Sequence, residues 1–213
     1  MPKLRVHNLA ISLDGYVAGP NQSPDNPLGE GGESLHEWMF TTRTWHQLSG
    51  TEGGEAGVDD EFVATGDVGI GATIMGRNMF GPIRGAWPDE EWKGWWGDNP
   101  PYHHDTFVMT HHPRPSLPMT GGTTFHFVND TPEEVLKQAV EAADGKDVRL
   151  GGGSSAVRQF LQAGLVDELH LAVVPILLGG GERLYDDLGT LLGYRVSSAV
   201  RSPAVTHVQF SKA

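Results

Sequence analysis

The stretch Val148–Phe160, VRLGGGSSAVRQF, decides how the rest of the chain is read. Asp147–Leu150 has strand character, three glycines follow, and a helical pattern starts at once with Ser154 or Ser155 as candidate N-cap. Glycines bring backbone N–H groups close to an anion, and a helix N-terminus adds roughly half a positive charge. That combination holds a diphosphate with few cationic side chains. Gly151, Gly153 and Ala156 also satisfy G-x-G-x-x-A, yet the next strand runs through Val173-Val174 into Pro175 with no acid to take a ribose. Read alone, the segment is either a phosphate cradle or a tight strand-to-helix turn that needs glycine for geometry.

A second strand end of this kind lies upstream in Gly71–Phe80, GATIMGRNMF. Ala72–Met75 is a short apolar strand, Arg77 follows Gly76, and a helical turn begins near Asn78. The planar fork of arginine suits phosphate oxygens, although a surface ion pair is the simpler use in an acidic chain. A third strand, Thr106–Thr110, ends in Thr110-His111-His112, whose donors suit the same phosphate. Three such strand ends fit a ligand lying across the carboxyl edge of a parallel sheet.

Further out, Lys3–Ser12 reads as a strand and Leu13–Gly29 as loop. Ser34 and Glu37 form a capping-box pattern ahead of a helix carrying Leu35, Trp38, Met39, Trp45 and Leu48. Ser49–Gly57 is loop, and Asp59–Asp67 a short helix with acids in its first turn. Gly81–His104 has no clear period, His111–Gly122 is proline-rich loop, and Thr123–Val128 is a strand. Thr131, Pro132 and Glu134 start a helix that Gly145 ends. Ser154–Ala163 is a helix, Glu168–Val174 a strand, and Tyr194–Val200 with Ala204–Phe210 a closing antiparallel hairpin. Strands alternating with helices imply an α/β fold with a mostly parallel central sheet, and no linker divides residues 1–213.

The 213 residues carry 15 Lys+Arg against 27 Asp+Glu, a formal charge of −12, and no cysteine. Thiol nucleophiles, disulfides and iron–sulfur clusters are therefore excluded. The acidic balance disfavours nucleic acid as a partner. No stretch has the apolar length of a membrane span, and Met1–Val6 lacks the apolar core of a leader, so a cytoplasmic protein with no membrane partner is expected.

Other residues offer chemistry with a plainer use beside it. Asp14, at the Asp14-Gly15 break in Ala10–Pro20, is a candidate catalytic polar group or a turn-forming acid. Trp87, Trp92, Trp95 and Trp96 are a stacking wall for a ring or apolar anchors for a long loop. His103, His104, His111 and His112 lie in adjacent pairs, which point apart on a strand, so no metal site is expected. No G-x-S-x-G or P-loop pattern occurs.

Taken together, ISLDGYVAG, IMGRNMF and VRLGGGSSAVRQFLQAGLVDELHLAVVPILLGGGERLYDDL resemble the dihydrofolate reductase superfamily. The resemblance is to the branch containing the C-terminal reductase domain of bacterial riboflavin biosynthesis proteins. It implies one dihydrofolate-reductase-like domain, with inserted loops near 21–57 and 81–104. It also implies an NADPH-dependent reductase acting on a small heterocyclic or carbonyl substrate, and a homodimer built through the C-terminal strands. Gly151, Gly152, Gly153, Ser154 and Ser155 would take the diphosphate. Gly76, Arg77 and Asn78, with Thr110, His111 and His112, would take the adenosine end and its 2′-phosphate. Ala10, Ile11, Gly15, Val17 and Ala18 would frame the nicotinamide. Met79 and Gly81 depart from the branch, where a threonine and an acid are usual. In the folate enzymes a carboxylate on the first helix supports protonation, a position nearest Asp59, Asp60 or Glu61 here. The alternative from another class is a non-catalytic dinucleotide- or ligand-binding protein on the same fold.

Overall fold

Six parallel strands form the centre of the computed structural model, which describes residues 1–189 and 193–213. In chain order the elements are β1 (Leu4–Ser12), β2 (Tyr16–Ala18), α1 (Glu37–Phe40), α2 (Arg43–Leu48), α3 (Val58–Gly66), β3 (Ile70–Gly76) and α4 (Arg77–Phe80). There follow β4 (Asp105–Met109), β5 (Leu117–Pro118), β6 (Thr124–Val128), α5 (Pro132–Ala142), β7 (Asp147–Leu150) and α6 (Ser154–Gln162). The chain closes with β8 (Glu168–Val174), β9 (Glu182–Arg183), β10 (Tyr194–Arg201) and β11 (Thr206–Lys212). The main sheet has the order β10-β11-β8-β1-β7-β3-β4-β6-β5, antiparallel at both margins.

The alternation of side chains along the strands divides the core between two faces. On one, Ile74, Val148 and Leu150 pack with Val135 and Ala139 of α5 and with Val157, Phe160 and Leu161 of α6. Phe160 and Leu161 are fully inside, each burial stabilising the fold by roughly 1.5–3 kcal/mol. On the other, Ala10 and Ala172 meet Trp38 and Val63, while Met75, Phe80, Phe125 and Phe127 make an aromatic cluster. The Thr131–Glu134 capping box forms with both halves present. Among the described residues no helix is long and apolar enough to cross a membrane.

Four local expectations are corrected. The helix foreseen behind Ser34 and Glu37 breaks into a 3-10 turn at Gly32–Leu35, then α1 and α2. Ser34 caps nothing. Thr41 and Thr42 donate their hydroxyls back to the carbonyls of Trp38 (3.1 Å) and Met39 (2.7 Å), and Thr42 then caps α2 by accepting from the amide of Trp45. Residues 13–29 contain β2, which pairs antiparallel with β9, a partner far along the chain and invisible locally. Residues 111–122 contain β5 and a 3-10 turn. The N-cap of α6 is Gly153, with no side-chain cap, rather than Ser154 or Ser155.

Candidate functional site

A cleft of about 890 Å³ opens where β3, β4 and β7 end. Parallel strands aim their free carboxyl ends, and the helices that follow them, at the same space. The glycine run after β7 forms one side of it. Gly76 donates its amide to the carbonyl of Gly152 at 2.6 Å, so β3 and the start of α6 touch through backbone. A Cβ on Gly76 would meet Ala156 and the Gly153 nitrogen at 3.3 Å, and Gly152 takes φ 134°, a conformation costly for other residues. The peptide between Gly152 and Gly153 is cis. No side chain caps α6, so its first amides are free of a side-chain acceptor, and Gly153, Ser154 and Ser155 line the cleft.

Arg77 borders the same cleft, with its guanidinium carbon over the Trp87 ring, 3.9 Å from the ring centre. Its Nε and Nη2 are buried with no hydrogen-bond partner. Among the described residues no carboxylate pairs with it, although acids outnumber bases in this chain. Burial, helped by the charge of Arg84, lowers its pKa from the usual guanidinium value. Asn78 is held from both sides: its Nδ2 donates to Gln22 at 3.2 Å, and its Oδ1 accepts from Arg84 at 3.4 Å. His111 bonds Asn129 at 3.0 Å through Nδ1, and the amide of His112 donates to the hydroxyl of Thr110.

The structure thus brings Val17, Ala18, Gly76, Arg77, Asn78, Thr110, His111, His112, Gly151, Gly152, Gly153, Ser154 and Ser155 to one cleft. Ala10, Ile11, Asp14 and Gly15 lie outside its lining. Ala10 and Ile11 fill the cores on opposite faces of β1. Gly15, at φ 88°, turns the chain beneath Tyr185 and into β2. Asp14 anchors a turn: its carboxylate accepts from the Ser12 hydroxyl (2.6 Å) and from the amides of Leu178 (3.1 Å) and Gly179 (2.7 Å). Those bonds, Ser12 foremost, hold its pKa down to about 2. Of the two uses weighed for Asp14, these bonds are those of the turn-forming acid, and its side chain is engaged away from the cleft lining.

The acids of α3 are engaged as well. Asp60 accepts from the amide of Thr44 at 2.7 Å, Glu61 is exposed, and Asp59 ends a buried chain of histidines. The amide of Asn8 donates to His170 Nδ1 (3.1 Å), which leaves Nε2 as the protonated nitrogen of His170. That nitrogen donates to His207 Nδ1 (3.0 Å), and His207 Nε2 donates to Asp59 (2.7 Å). Asn8, at φ 57° on an irregularity of β1, is thereby fixed on the cleft lining, its Nδ2 donating to the Phe62 carbonyl at 3.3 Å. His103 and His104 instead bond the carbonyl of Gly121 and the hydroxyl of Thr73. Among the described residues no group of three or more histidines and acids is arranged to hold a metal.

Sequence reasoning singled out Trp45 on the helix behind Ser34 but passed over several other lining residues: Asn8, Phe40, Tyr102, Arg149 and Glu182. Only the aromatics carried a signal, Phe40 as a large apolar group in the stretch read as helical and Tyr102 as one in a segment with no regular period. The tryptophan-rich segment divides between core and cleft. Trp87 and Trp92 pack edge-on against Phe80, while Trp95 and Trp96 border the cleft.

The family model described as "RibD C-terminal domain" matches residues 2–208. The structure of a putative riboflavin biosynthesis protein from Shewanella sp. PV-4 is similar with a TM-score of 0.64 at 20% identity, over 100% of this chain and 99% of that one. Dihydrofolate reductase from Enterococcus faecalis, solved with NADP(H), gives 0.54 at 14% identity, over 99% and 96%. Both are likenesses of fold. The uncharacterized protein YyaP of Bacillus subtilis (strain 168) is 43% identical over 63 residues, 29% of this chain and 32% of that protein, so the match spans about a third of that relative. With a mostly parallel sheet of the reductase type and a family match along nearly its whole length, this chain belongs to the RibD C-terminal domain family.

Proposed function

We propose that the chain is an NADPH-dependent reductase that passes hydride to a small heterocyclic or carbonyl compound. One observation carries the reading: a guanidinium with two buried, unpartnered nitrogens and no acid beside it, at the edge of a glycine-lined cleft. A desolvated cation gains most from an anion brought to it, and a phosphate near charge −2 is the natural one. Arg77 would take the 2′-phosphate, with His111 and His112 as further donors. Gly151–Ser155 would take the diphosphate through backbone amides, and the close contact of Gly76 with Gly152 keeps that corner shallow enough for approach. Val17 and Ala18 of β2 would cover the ring end with apolar surface and exclude water. The coenzyme, when bound, supplies the hydride.

A tryptophan-fluorescence titration with NADPH and with NADH tests the reading. At least a tenfold preference for NADPH, lost in Arg77→Ala, is the expected result. Equal affinity for the two coenzymes overturns the placement of Arg77. Addition of pterins, aminopyrimidine ribosides and small carbonyls should then lower the NADPH absorbance for at least one compound. Tight coenzyme binding with no turnover across that panel would favour a binding protein on this fold.

A further inference from the structure

Trp87 joins two groups that belong to different strand ends. The guanidinium carbon of Arg77, after β3, lies over its ring at 3.9 Å from the centre. Its indole N–H donates to the carbonyl of His112, after β4, at 2.5 Å. Arg77 and His112 both line the cleft, and Trp87 does not. An aromatic face attracts a guanidinium without cancelling its charge. A carboxylate in the same place would form an ion pair that an arriving phosphate must break. The tether on His112 leaves its ring free in the same way. The amide of His112 donates to the Thr110 hydroxyl (3.1 Å) and its carbonyl is taken by Trp87, so the backbone is fixed from both sides while the residue stays exposed.

The indole is itself held. Trp87 packs edge-on against Phe80, one helical turn along α4 from Arg77, with centres 5.6 Å apart and planes at 88°, and against Phe127 of β6 at 5.5 Å. Arg114 closes the frame from the loop that follows His112. Its guanidinium lies over Phe127 at 4.1 Å and over Trp87 at 5.0 Å. It donates to the carbonyls of Asp89 (3.0 Å), Glu90 (3.2 Å) and Trp92, which clamps residues 89–92 to the loop that carries His112. Trp92 offers a comparison within the same segment. It too packs edge-on against Phe80, at 5.4 Å, but the cation and the His112 carbonyl both go to Trp87.

Resting on the coenzyme reading, we infer that Trp87 is a positioning residue: it holds Arg77 and His112 as one preformed site for the 2′-phosphate, and so sets the preference for NADPH over NADH without touching the coenzyme. A side chain that must be ordered when its ligand arrives costs a factor of roughly 2 to 13 in affinity. NADH has no 2′-phosphate, so its binding draws on neither tether.

Calorimetric titration of the full chain with NADPH and with NADH tests this, on the wild type and on Trp87→Leu, Trp87→Phe and Trp92→Leu. Trp87→Leu removes both the aromatic face and the donor, and should weaken NADPH about tenfold while moving NADH less than about twofold. Trp87→Phe keeps a face for Arg77 but loses the donor to His112, and should weaken NADPH about threefold. Trp92→Leu loses the same kind of packing on Phe80 and should leave the NADPH-to-NADH ratio unchanged. Circular dichroism shows which variants fold; if Trp87→Leu does not, Trp87→Phe decides by the same ratio. Equal weakening of both coenzymes overturns the inference, as does an unchanged ratio in the folded Trp87 variants, tighter NADPH binding, or an equal shift of the ratio in Trp92→Leu. A wild type without preference for NADPH would sink the coenzyme reading and the inference together, whereas a preference that survives in the folded Trp87 variants sinks the inference alone.

Discussion

The hydroxyl of Ser154, the first residue of α6, donates to the carboxylate of Glu182 on β9 at 3.0 Å. An acid thus sits at a helix N-terminus that no side chain caps, at the corner assigned to a diphosphate. It favours the helix dipole as any anion would, and it repels the phosphates meant to arrive there.

Glu182→Gln should therefore tighten NADPH binding about two- to fivefold at low ionic strength, as expected for removing one helix-terminal charge worth about 0.3–1 kcal/mol. Added salt should shrink the gain. A weaker complex in a coenzyme titration would mean that the carboxylate holds the ligand, by accepting from a ribose hydroxyl, instead of opposing it.

The cap of α5 gives a prediction about stability alone. Thr131 accepts from the Glu134 amide, and Glu134 reaches back to the Thr131 amide at 3.1 Å, neither residue being part of the cleft lining. Thr131→Ala should cost about 1 kcal/mol, lowering the thermal midpoint by roughly 2–4 °C in a chain of this size. NADPH affinity should not change. Calorimetric scanning with a parallel titration checks both halves.

The buried histidines predict a pH dependence. Burial first, then the charges of Arg5 and Arg149, push the pKa of His7 down to about 4, and burial pushes that of His170 down to about 2. His207 is lowered by burial against the opposing pull of Asp59. In the unfolded chain these groups return to about 6.5. Below that value the unfolded state takes up protons that the folded state refuses, so stability is intact above pH 6.5 and falls as the pH drops towards 4. His7 alone accounts for roughly 3 kcal/mol over that window. Urea unfolding at pH 7 and pH 5 should show a lower midpoint at pH 5. His7→Leu, which also removes the unpartnered Nδ1, should flatten the difference.

Asp14 gives the opposite sign. Its pKa is depressed, so its contribution is present above the unfolded carboxyl value and lost as the pH falls towards about 2. Asp14→Asn should lower the thermal midpoint at pH 7 and loosen the Leu178–Gly179 segment it anchors. It should leave the pH profile of any turnover unchanged. A lost limb in that profile would restore Asp14 as a proton-transferring group.

The sequence by itself determined the strand–glycine–helix units and their caps. Gly151–Gly153, the Gly76-Arg77 turn and Thr131–Glu134 are readable because glycine and capping residues act within a few positions along the chain. The alternation of strands and helices likewise implied the parallel sheet, since such strands need helical crossovers. Only the tertiary structure decided which side chains share the cleft. Alternation along β1 assigns its residues to two faces without saying which face is open, so Ala10 and Ile11 became core while Asn8, at an irregularity, reached the lining. Asp14 was lost to a turn because its partners, Leu178 and Gly179, are more than 160 residues away. Trp45 on α2 and Trp95 in its loop reached one cleft, the loop's path depending on contacts such as the Met79 carbonyl, and such long-range pairing leaves no local pattern to read.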